Sequence, residues 1–384
     1  MNSPRRILGF EGLDTPLSVQ GPEIEDLVSR IAHRWPYRLL GDRGDVEPFA
    51  QLSVLTPEKW KTITPQGAQP CQELDPVNTV CDLIVELSWE QIRSRSDLLC
   101  LHAAGIEFAG RLVVFPNQHR AGKSTLSAAL ARLGHAIYSD DFLPIARAPE
   151  TRALQGLANG IAPRLRLPLP QGASAAFRAF VETDSGPSNR QYKYITDCPL
   201  PAHGEQLPIG AIVLLDRRDT PEPARLEPLS EAEAISALIL QNFARHMHGA
   251  EILRALAAMA HDLPLYRLVF SDVEDAANMM HECSELQHLP TAKLATPICA
   301  RPANLDPKPI PIPPDIATGV FVRPDGCETT FAGDEMFVAT PDGSAIHRLN
   351  AGLKLIWLLL EHPATAGDVA QVLSELYPEI ASQQ

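Results

Sequence analysis

The chain has 384 residues, with 47 acidic and 33 basic side chains and a net charge of −14 at pH 7. At roughly 150 residues per domain, that length predicts two or three domains. The 45% of apolar residues excludes a wholly disordered chain. The acidic balance lacks the positive field of a general nucleic-acid binder, so we expect no nucleic-acid partner.

Seven cysteines occur without any CxxC spacing. That pattern argues against a disulfide framework or a zinc knuckle and favours a reducing compartment. The sequence shows no apolar stretch of signal-peptide length at its start and none long enough to span a bilayer. We therefore expect a cytoplasmic protein with no membrane partner, and leave homo-oligomer formation open.

Residues 1–97 are predicted to form a small α/β region. The apolar spacing of EIEDLVSRIAHRW (23–35) predicts a helix, and QLSVLTP (51–57) predicts a strand. CDLIVELSW (81–89) is interpreted as a strand leading into a helix. No catalytic constellation is visible in this region.

The strongest motif is LVVFPNQHRAGKSTLSAALARLG, an apolar strand (112–115), a loop and a helix-forming run. In a P-loop, backbone amides and a helix N-terminus surround the phosphates of a nucleotide. Lys123 would reach the β- and γ-phosphates, and the Ser124 hydroxyl would bind Mg²⁺. The residues predicted to bind nucleotide are Asn117, Gln118, His119, Arg120, Ala121, Gly122, Lys123, Ser124 and Thr125.

The motif has Asn117 where the P-loop consensus has glycine. Asparagine is the non-glycine residue that best tolerates a left-handed φ. We therefore expect the loop to accommodate Asn117 through that tolerance.

A short strand (136–138) then leads into Asp140 and Asp141. The ends of parallel strands lie beside a P-loop, where paired carboxylates suit Mg²⁺ binding and deprotonation of a hydroxyl. The alternative is a solvated acidic turn. His102 lies on an apolar strand upstream, where a hydrogen-bonded core histidine is the alternative.

The segment HAAGIEFAGRLVVFPNQHRAGKSTLSAALARLGHAIYSDD resembles the catalytic core of bacterial HPr kinase/phosphorylase, a P-loop serine kinase related in fold to phosphoenolpyruvate carboxykinase. The resemblance implies that Lys123 and Ser124 bind phosphate and Mg²⁺. It implies that Asp141 is the base and a metal ligand, supported by His102 and Asp140. Arg164 and Arg166, in PRLRLP (163–168), are candidates for phosphate or substrate binding, with surface or structural arginines as the alternative.

Further along, Ser230 and Glu233 are spaced as a capping box at the start of a long helix that we expect to break near Gly249. YRLVF (266–270) predicts a strand. Seven prolines between 297 and 314 predict a linker over 295–316. A proline-rich surface loop within one domain is the alternative.

The tail has three strand candidates, VFVRP, EMFVATP and SAIHRLN, with turn signals at Asp325-Gly326 and Asp342-Gly343. Helices are predicted over about 350–361 and 365–377. The tail resembles PqqD-like peptide-recognition domains, which are small and winged-helix-like, through Leu349, Asn350, Ile356, Trp357 and Thr365. The resemblance implies that a leader peptide binds as an added strand; a winged-helix domain of other use is the alternative. Ile356 and Trp357 are expected to form the core beneath the small sheet.

The sequence thus predicts an α/β protein with four parts: an N-terminal α/β region (1–97), a P-loop kinase core of the HPr kinase type (98–294), a linker (295–316) and a PqqD-like domain (317–384). The predicted function is ATP- and Mg²⁺-dependent phosphorylation of serine or threonine. The acceptor would be a small protein or a ribosomally made precursor peptide. The alternatives are a nucleotide-binding peptide-recognition scaffold without transfer activity and an HPr kinase/phosphorylase.

Overall fold

A computed structural model of the chain describes residues 4–41, 46–65, 71–117, 121–244, 246–298, 301–304 and 318–377. The predicted mixture of helices and sheets is confirmed. The contacts between residues divide the chain into two units. The large unit consists of Met1–Leu229, Leu240–Ala244 and Ala258–Ile298, and the small unit of Ser230–Ile239, Arg245–Ala257 and Cys299–Gln384.

The large unit begins with a six-stranded sheet and two helices. Their order is β1 (Arg5–Phe10), β2 (Leu17–Gln20), α1 (Pro22–Ile31), β3 (Tyr37–Leu40), β4 (Ala50–Thr56), β5 (Lys59–Ile63), β6 (Cys71–Leu74) and α2 (Pro76–Ser94). The sheet order is β3-β1-β2-β4-β5-β6. The helix expected over 23–35 and the strand expected over 51–57 are confirmed as α1 and β4. Both helices bury an apolar face on this sheet, in a core that includes Leu8, Val28 and Leu87.

The prediction of a strand within 81–89 is wrong, because these residues lie inside α2. The side chain of Asp75 accepts hydrogen bonds from the amides of Val77 and Asn78, and Pro76 occupies the first turn. These residues provide the two commonest signals of a helix start. A continuous apolar run does not by itself distinguish a buried helix from a strand.

A larger sheet follows along the chain, together with several helices, of which the two between Glu231 and Asp262 lie mostly in the small unit. The elements are β7 (Leu99–Leu101), β8 (Ala104–Phe108), β9 (Arg111–Phe115), α3 (Lys123–Arg132), β10 (Ile137–Ser139), β11 (Leu143–Arg147), β12 (Leu154–Leu157), β13 (Arg164–Arg166), α4 (Ala175–Thr183), β14 (Tyr192–Tyr194), β15 (Gln206–Arg217), β16 (Arg225–Pro228), α5 (Glu231–Gln241), α6 (Gly249–Asp262), β17 (Leu265–Phe270), α7 (Val273–Glu282) and a 3-10 turn (Ser284–Gln287).

The larger sheet has the order β10-β8-β9-β15-β12-β11-β7, with β17 paired to β15 and β16 to β17. Strand β8 is antiparallel to both β9 and β10. Strands β9 and β10 therefore run in the same direction, and both end at one edge of the sheet. That edge receives the loop before α3 and the turn that carries the two aspartates. Strands β13 and β14 form a separate antiparallel ribbon.

The predicted elements of the middle of the chain are largely confirmed. The strands expected at 112–115, 136–138 and 266–270 correspond to β9, β10 and β17. The capping box is present: the Ser230 hydroxyl and the Glu233 carboxylate are hydrogen-bonded at 2.8 Å, and the Glu233 amide donates to the Ser230 hydroxyl at 3.3 Å. The expected break near Gly249 separates α5 from α6.

The tail of the small unit contains β18 (Val320–Phe321), β19 (Glu328–Ala332), β20 (Glu335–Ala339), β21 (Ile346–Leu349), α8 (Ala351–Leu359), β22 (Ala364–Thr365) and α9 (Ala366–Leu376). Strands β19, β20 and β21 form an antiparallel sheet, and β18 pairs with β22. The three expected strands are confirmed as β18, β20 and β21, whereas β19 was not predicted. Asn350 caps α8, and Thr365 forms a capping box with Asp368 at α9.

The expectation that Ile356 and Trp357 form the core beneath this sheet is wrong. Both side chains are half-buried, and α8 has no fully buried residue. Apart from Ala332 at the end of β19, the buried residues of the sheet are those of β20, from Met336 to Ala339. The burial therefore follows the central strand and not the helix.

The predicted division into four parts remains a prediction. Within the small unit, Arg348 donates a hydrogen bond to the Ser236 hydroxyl at 3.0 Å, so the tail contacts a helix that precedes it by more than a hundred residues. Residues 299–300 and 305–317, which cover much of the predicted linker, lie outside the described residues. None of the helices described by the structure has both the length and the apolar character needed to cross a bilayer.

The turn after β20 joins the tail to the start of α6 within the small unit. Gly343 has a φ of 72°. Its carbonyl accepts a hydrogen bond from the Gly249 amide at 2.9 Å. The ring of His248 lies against it, with Nε2 at 3.1 Å from the Pro341 carbonyl. A side chain at position 343 would therefore meet the imidazole.

Prediction: Gly343→Ala should destabilise the protein more than Gly333→Ala. Both glycines have positive φ, a conformation that costs a residue with Cβ about 1–2 kcal/mol. A Cβ at 343 would lie 2.3 Å from His248 Cδ2, whereas at 333 nothing lies within 4 Å. The clash should add about 1–3 kcal/mol. Urea unfolding of both full-length variants measures the difference, and equal midpoints would contradict the contact.

Candidate phosphate-binding and catalytic site

The loop between β9 and α3 ends in a helix start that is open to an anion. Gly122 precedes α3 with a left-handed φ of 102°, and no side chain among the described residues caps the helix. The first amides of a helix have no acceptor within it, so they can donate to phosphate oxygens. Ala121, Ser124 and Thr125 are half-buried around this turn. Gln118, His119 and Arg120 lie outside the described residues.

Lys123 is the first residue of α3 and is only 7% exposed. Its Nζ donates a hydrogen bond to the carbonyl of Asn117, at the other end of the loop. Burial lowers the pKa of Lys123, while the charges of Asp141 and Asp140 act in the opposite direction. The ammonium group is thus held between the loop start and the two carboxylates.

Asn117 does not adopt the left-handed conformation that the sequence suggested. Ala109 and Arg152 are the non-glycine residues with positive φ in the part of the chain that the structure describes. Instead, Asn117 Nδ2 donates to the Leu215 carbonyl at 3.1 Å, and Oδ1 accepts from the Leu215 amide at 2.8 Å. The side chain thereby continues the pairing of β9 with β15 beyond the end of β9, which a glycine at 117 could not do.

Prediction: Asn117→Ala should destabilise the protein, because it removes both hydrogen bonds to Leu215. Each typical bond contributes about 1 kcal/mol, and the buried Leu215 amide would lose its acceptor. We expect a total loss of about 2–3 kcal/mol in urea unfolding. Asn278→Ala, at an exposed position of α7, is the control and should have little effect. Equal stability of the two variants would contradict a structural role for Asn117.

The turn after β10 directs the two aspartates to different surroundings. The buried hydroxyl of Ser139 donates to the Phe142 carbonyl at 2.6 Å. It also accepts from the amides of Phe142 at 2.9 Å and Asp141 at 3.2 Å. The turn therefore has a defined shape, with Asp140 buried and Asp141 half-buried. The aspartates do not form the solvated acidic turn that was the alternative.

Asp141 lies between two donors. Its Oδ1 is 2.6 Å from His102 Nε2, and its Oδ2 is 3.4 Å from Arg164 Nη2. Burial alone would raise the pKa of Asp141, but the hydrogen bond from His102 and the charges of His102, Arg164 and Lys123 outweigh it and lower the pKa. His102 contacts Asp141 from the short turn between β7 and β8, so the prediction that it lies on a strand is wrong.

Asp140 has the opposite electrostatic environment. It is 7% exposed, and its Oδ2 accepts a hydrogen bond from the Arg164 amide at 2.8 Å. Burial, together with the neighbouring charge of Asp141, raises the pKa of Asp140 to about 6. Two adjacent negative charges repel each other, so the buried Asp140 carboxyl keeps its proton more readily than Asp141 does.

Prediction: Asp140→Asn should stabilise the protein at pH 8 but not at pH 4. A carboxyl whose pKa is raised to about 6 in the fold favours the native state while protonated, and that contribution disappears as the pH rises through 6. Asparagine keeps an acceptor for the Arg164 amide without the charge. The gain at pH 8 should reach about 3 kcal/mol at most.

This test uses urea unfolding of the nucleotide-free protein in EDTA at several pH values. Asp219→Asn, at an exposed position, is the control for removal of one carboxylate. A difference between Asp140→Asn and the parent protein that does not vary with pH would contradict the burial of an ionisable Asp140.

The ribbon of β13 and β14 brings two arginines to the site. Arg164 contacts both aspartates, as described, and its guanidinium lies 4.9 Å from the ring centre of Tyr192. The guanidinium of Arg166 lies 5.5 Å from the same ring. The two arginines therefore share one face of the ribbon, but only Arg164 reaches the carboxylates.

Behind Arg164 lies a group of residues that the sequence did not reveal. Cys81 Sγ is 3.2 Å from the Tyr194 hydroxyl, both in the interior. Burial raises the pKa of Asp82, an effect that the charge of Arg164 opposes. Cys81 and Asp82 come from α2, so the N-terminal region contributes to the site. The alternation in RLR and YKY could have indicated the ribbon, but no local signal points to α2.

No model of a protein family matches the chain, and no curated protein matches it. Among solved structures, the HPr(Ser) kinase/phosphatase from Coxiella burnetii is similar over 47% of this chain and 91% of its own length. The sequence identity is 16% and the TM-score 0.22. A likeness at that level carries no functional argument.

Proposed function

We propose that this protein transfers the γ-phosphoryl group of ATP to the hydroxyl of a serine or threonine. The acceptor would be a small protein or a ribosomally made precursor peptide. The observation that carries the proposal is the meeting, at one sheet edge, of the start of α3 at Lys123, which no described side chain caps, and of Asp141 held by His102. The helix start and Lys123 suit the binding of phosphate, and the Asp141 carboxylate suits the binding of a hydroxyl.

The phosphates of ATP would bind the first amides of α3 and Lys123. Mg²⁺ prefers oxygen ligands and is commonly bound by one or two carboxylates together with substrate phosphates. The Asp141 carboxylate and the Ser124 hydroxyl provide oxygens of that kind at this edge. When bound, Mg²⁺ would neutralise part of the phosphate charge.

Asp141 would accept the proton of the acceptor hydroxyl. Its low pKa keeps it ionised at neutral pH, so it can hydrogen-bond and orient that hydroxyl. As the hydroxyl oxygen bonds to the γ-phosphorus, the bond to the β-phosphate oxygen breaks and ADP leaves with the bonding electrons. The proton passes to Asp141. Phosphoryl transfer depends mainly on such positioning and charge stabilisation.

Asp140 is less suited to accept that proton. It is more buried than Asp141, so an acceptor hydroxyl would reach it less easily. We assign it a supporting role, in which it fixes the start of β13 beside the turn.

The small unit would hold the acceptor peptide. In this proposal the PqqD-like tail binds a leader segment as an added strand. Binding of the leader would raise the local concentration of the acceptor at the kinase site.

Prediction: Lys123→Ala should weaken ATP binding and abolish transfer, whereas Asp141→Asn should lose transfer while keeping much of the ATP affinity, because the amides of α3 and Lys123 would still bind the phosphates. The first removes the cation expected at the γ-phosphate. The second removes a proton acceptor, which typically contributes about 10²–10⁴-fold in rate. Calorimetry measures ATP binding, and radiolabel transfer to an array of serine- and threonine-containing peptides measures turnover. Asp219→Asn is the control.

Three results would redirect the proposal. Unchanged ATP affinity in Lys123→Ala would remove the phosphate-binding assignment. Full turnover in Asp141→Asn would make Asp140 the better candidate for the proton acceptor. ATP binding without transfer to any peptide would favour a recognition scaffold, and efficient transfer to HPr would indicate an HPr kinase.

A further inference from the structure

We propose that the outer edge of β13 binds the acceptor polypeptide as an added strand, and that Arg166 selects a carboxylate two residues from the acceptor hydroxyl. This inference rests on the proposed kinase function and names the class of its acceptor: an extended segment with an acidic residue at that position.

The pairing of the ribbon shows which backbone groups face outward. The Ile195 amide donates to the Pro163 carbonyl at 2.9 Å, and the Leu167 amide donates to the Gln191 carbonyl at 2.7 Å. In an antiparallel pair, alternate residues of a strand direct their backbone groups to the partner. Residues 163, 165 and 167 therefore face β14, and the backbone groups of Arg164 and Arg166 face away from it.

This outward edge is only partly occupied. The Arg164 amide donates to Asp140 Oδ2. The Arg164 carbonyl and the Arg166 amide have no hydrogen-bond partner in the described parts of the chain. This carbonyl and this amide flank Leu165, and the backbone of an added strand could form hydrogen bonds with both. Asp140 limits the edge on one side and places it next to the catalytic turn.

The spacing of side chains along a strand defines the position that Arg166 would contact. Residues i and i+2 lie on one face, about 6.5–7 Å apart. Arg164 reaches Asp141 and lies on the same face as Arg166. An acceptor side chain beside Arg164 and Asp141 would therefore have its second neighbour beside Arg166.

Charge complementarity indicates what that neighbour is. Arg166 is exposed, lies over Tyr192 and makes no ion pair with any described residue. The chain has an excess of acidic over basic side chains, 47 against 33. Even so, no described acidic side chain pairs with this exposed arginine, which lies two residues from Arg164, the residue that contacts Asp141. The contact with Tyr192 restricts the guanidinium, which reduces the entropy lost on pairing with a carboxylate.

The test uses nonapeptides with one central serine, in which glutamate, lysine or alanine is placed at each position from −3 to +3. We expect glutamate at one of the two positions ±2, chosen by strand direction, to raise kcat/KM about tenfold over alanine. Arg166→Glu should reverse the preference to lysine, and Arg166→Lys should keep part of it. Arg38→Glu makes the same charge change on an exposed strand of the N-terminal sheet and should leave the preference unchanged.

A binding measurement separates this inference from the proposed function. Fluorescence anisotropy with peptides that carry alanine in place of the serine gives a Kd without any transfer. N-methylation of every second peptide amide should weaken binding in one register only, and the other register is the matched control. Melting curves establish that the Arg166 variants are folded.

The outcomes are distinct. If Lys123→Ala abolishes transfer but no preference at ±2 and no register effect exist, the edge proposal is wrong and the kinase assignment stands. If no peptide is phosphorylated but the Kd depends on Arg166, on glutamate at ±2 and on the N-methylation register, the edge binds peptide and the kinase assignment fails. A Kd that changes equally in Arg166→Glu and Arg38→Glu would reduce the effect to net charge and overturn the inference.

Discussion

The site depends on one constraint: the turn after β10 must hold two adjacent carboxylates in surroundings that differ in burial and in neighbouring charge. Ser139 fixes the turn with three hydrogen bonds, and this leaves Asp140 buried and Asp141 half-buried. Burial, reinforced by the charge of Asp141, raises the pKa of Asp140. The hydrogen bond from His102 and the neighbouring positive charges lower the pKa of Asp141. The same turn therefore presents one carboxylate to His102 and Arg164 and uses the other to join the turn to β13.

The N-terminal region supports this turn although it contributes no residue to the proposed chemistry. Trp35 stacks on His203 with ring centres 4.0 Å apart, and His203 Nδ1 lies 3.1 Å from the Asn159 carbonyl. The Asn159 side chain in turn donates to the Phe142 carbonyl at 3.2 Å, within the turn that follows Ser139. A continuous series of contacts thus joins residues before 97 to the aspartates. It explains physically why this region belongs to the same unit.

The sequence predicted the parts of the site that are local in the chain. Strand β9, the helix start at Lys123 and the pair Asp140-Asp141 lie within a short stretch, and each carries a local pattern. The partners of these residues are not local. Leu215 bonds to Asn117 from a strand far along the chain. Cys81 and Asp82, which lie beside Arg164, come from a helix whose apolar run alone is equally typical of a strand. Such contacts are decided by tertiary packing, which no spacing in one sequence reveals.

Asn117 replaces the consensus glycine and fixes the start of the loop in a different way. A glycine would leave the backbone there with many accessible conformations, whereas the side-chain amide of Asn117 bonds the loop start to the backbone of Leu215. The carbonyl of the same residue accepts the hydrogen bond of Lys123, so the fixed loop start also fixes the ammonium group. When a phosphate binds here, the Lys123 ammonium group must exchange its hydrogen bond to the neutral Asn117 carbonyl for a contact with the phosphate. The negative charge of the phosphate makes that exchange favourable, because an ion pair in a partly buried site is stronger than a bond to a neutral acceptor.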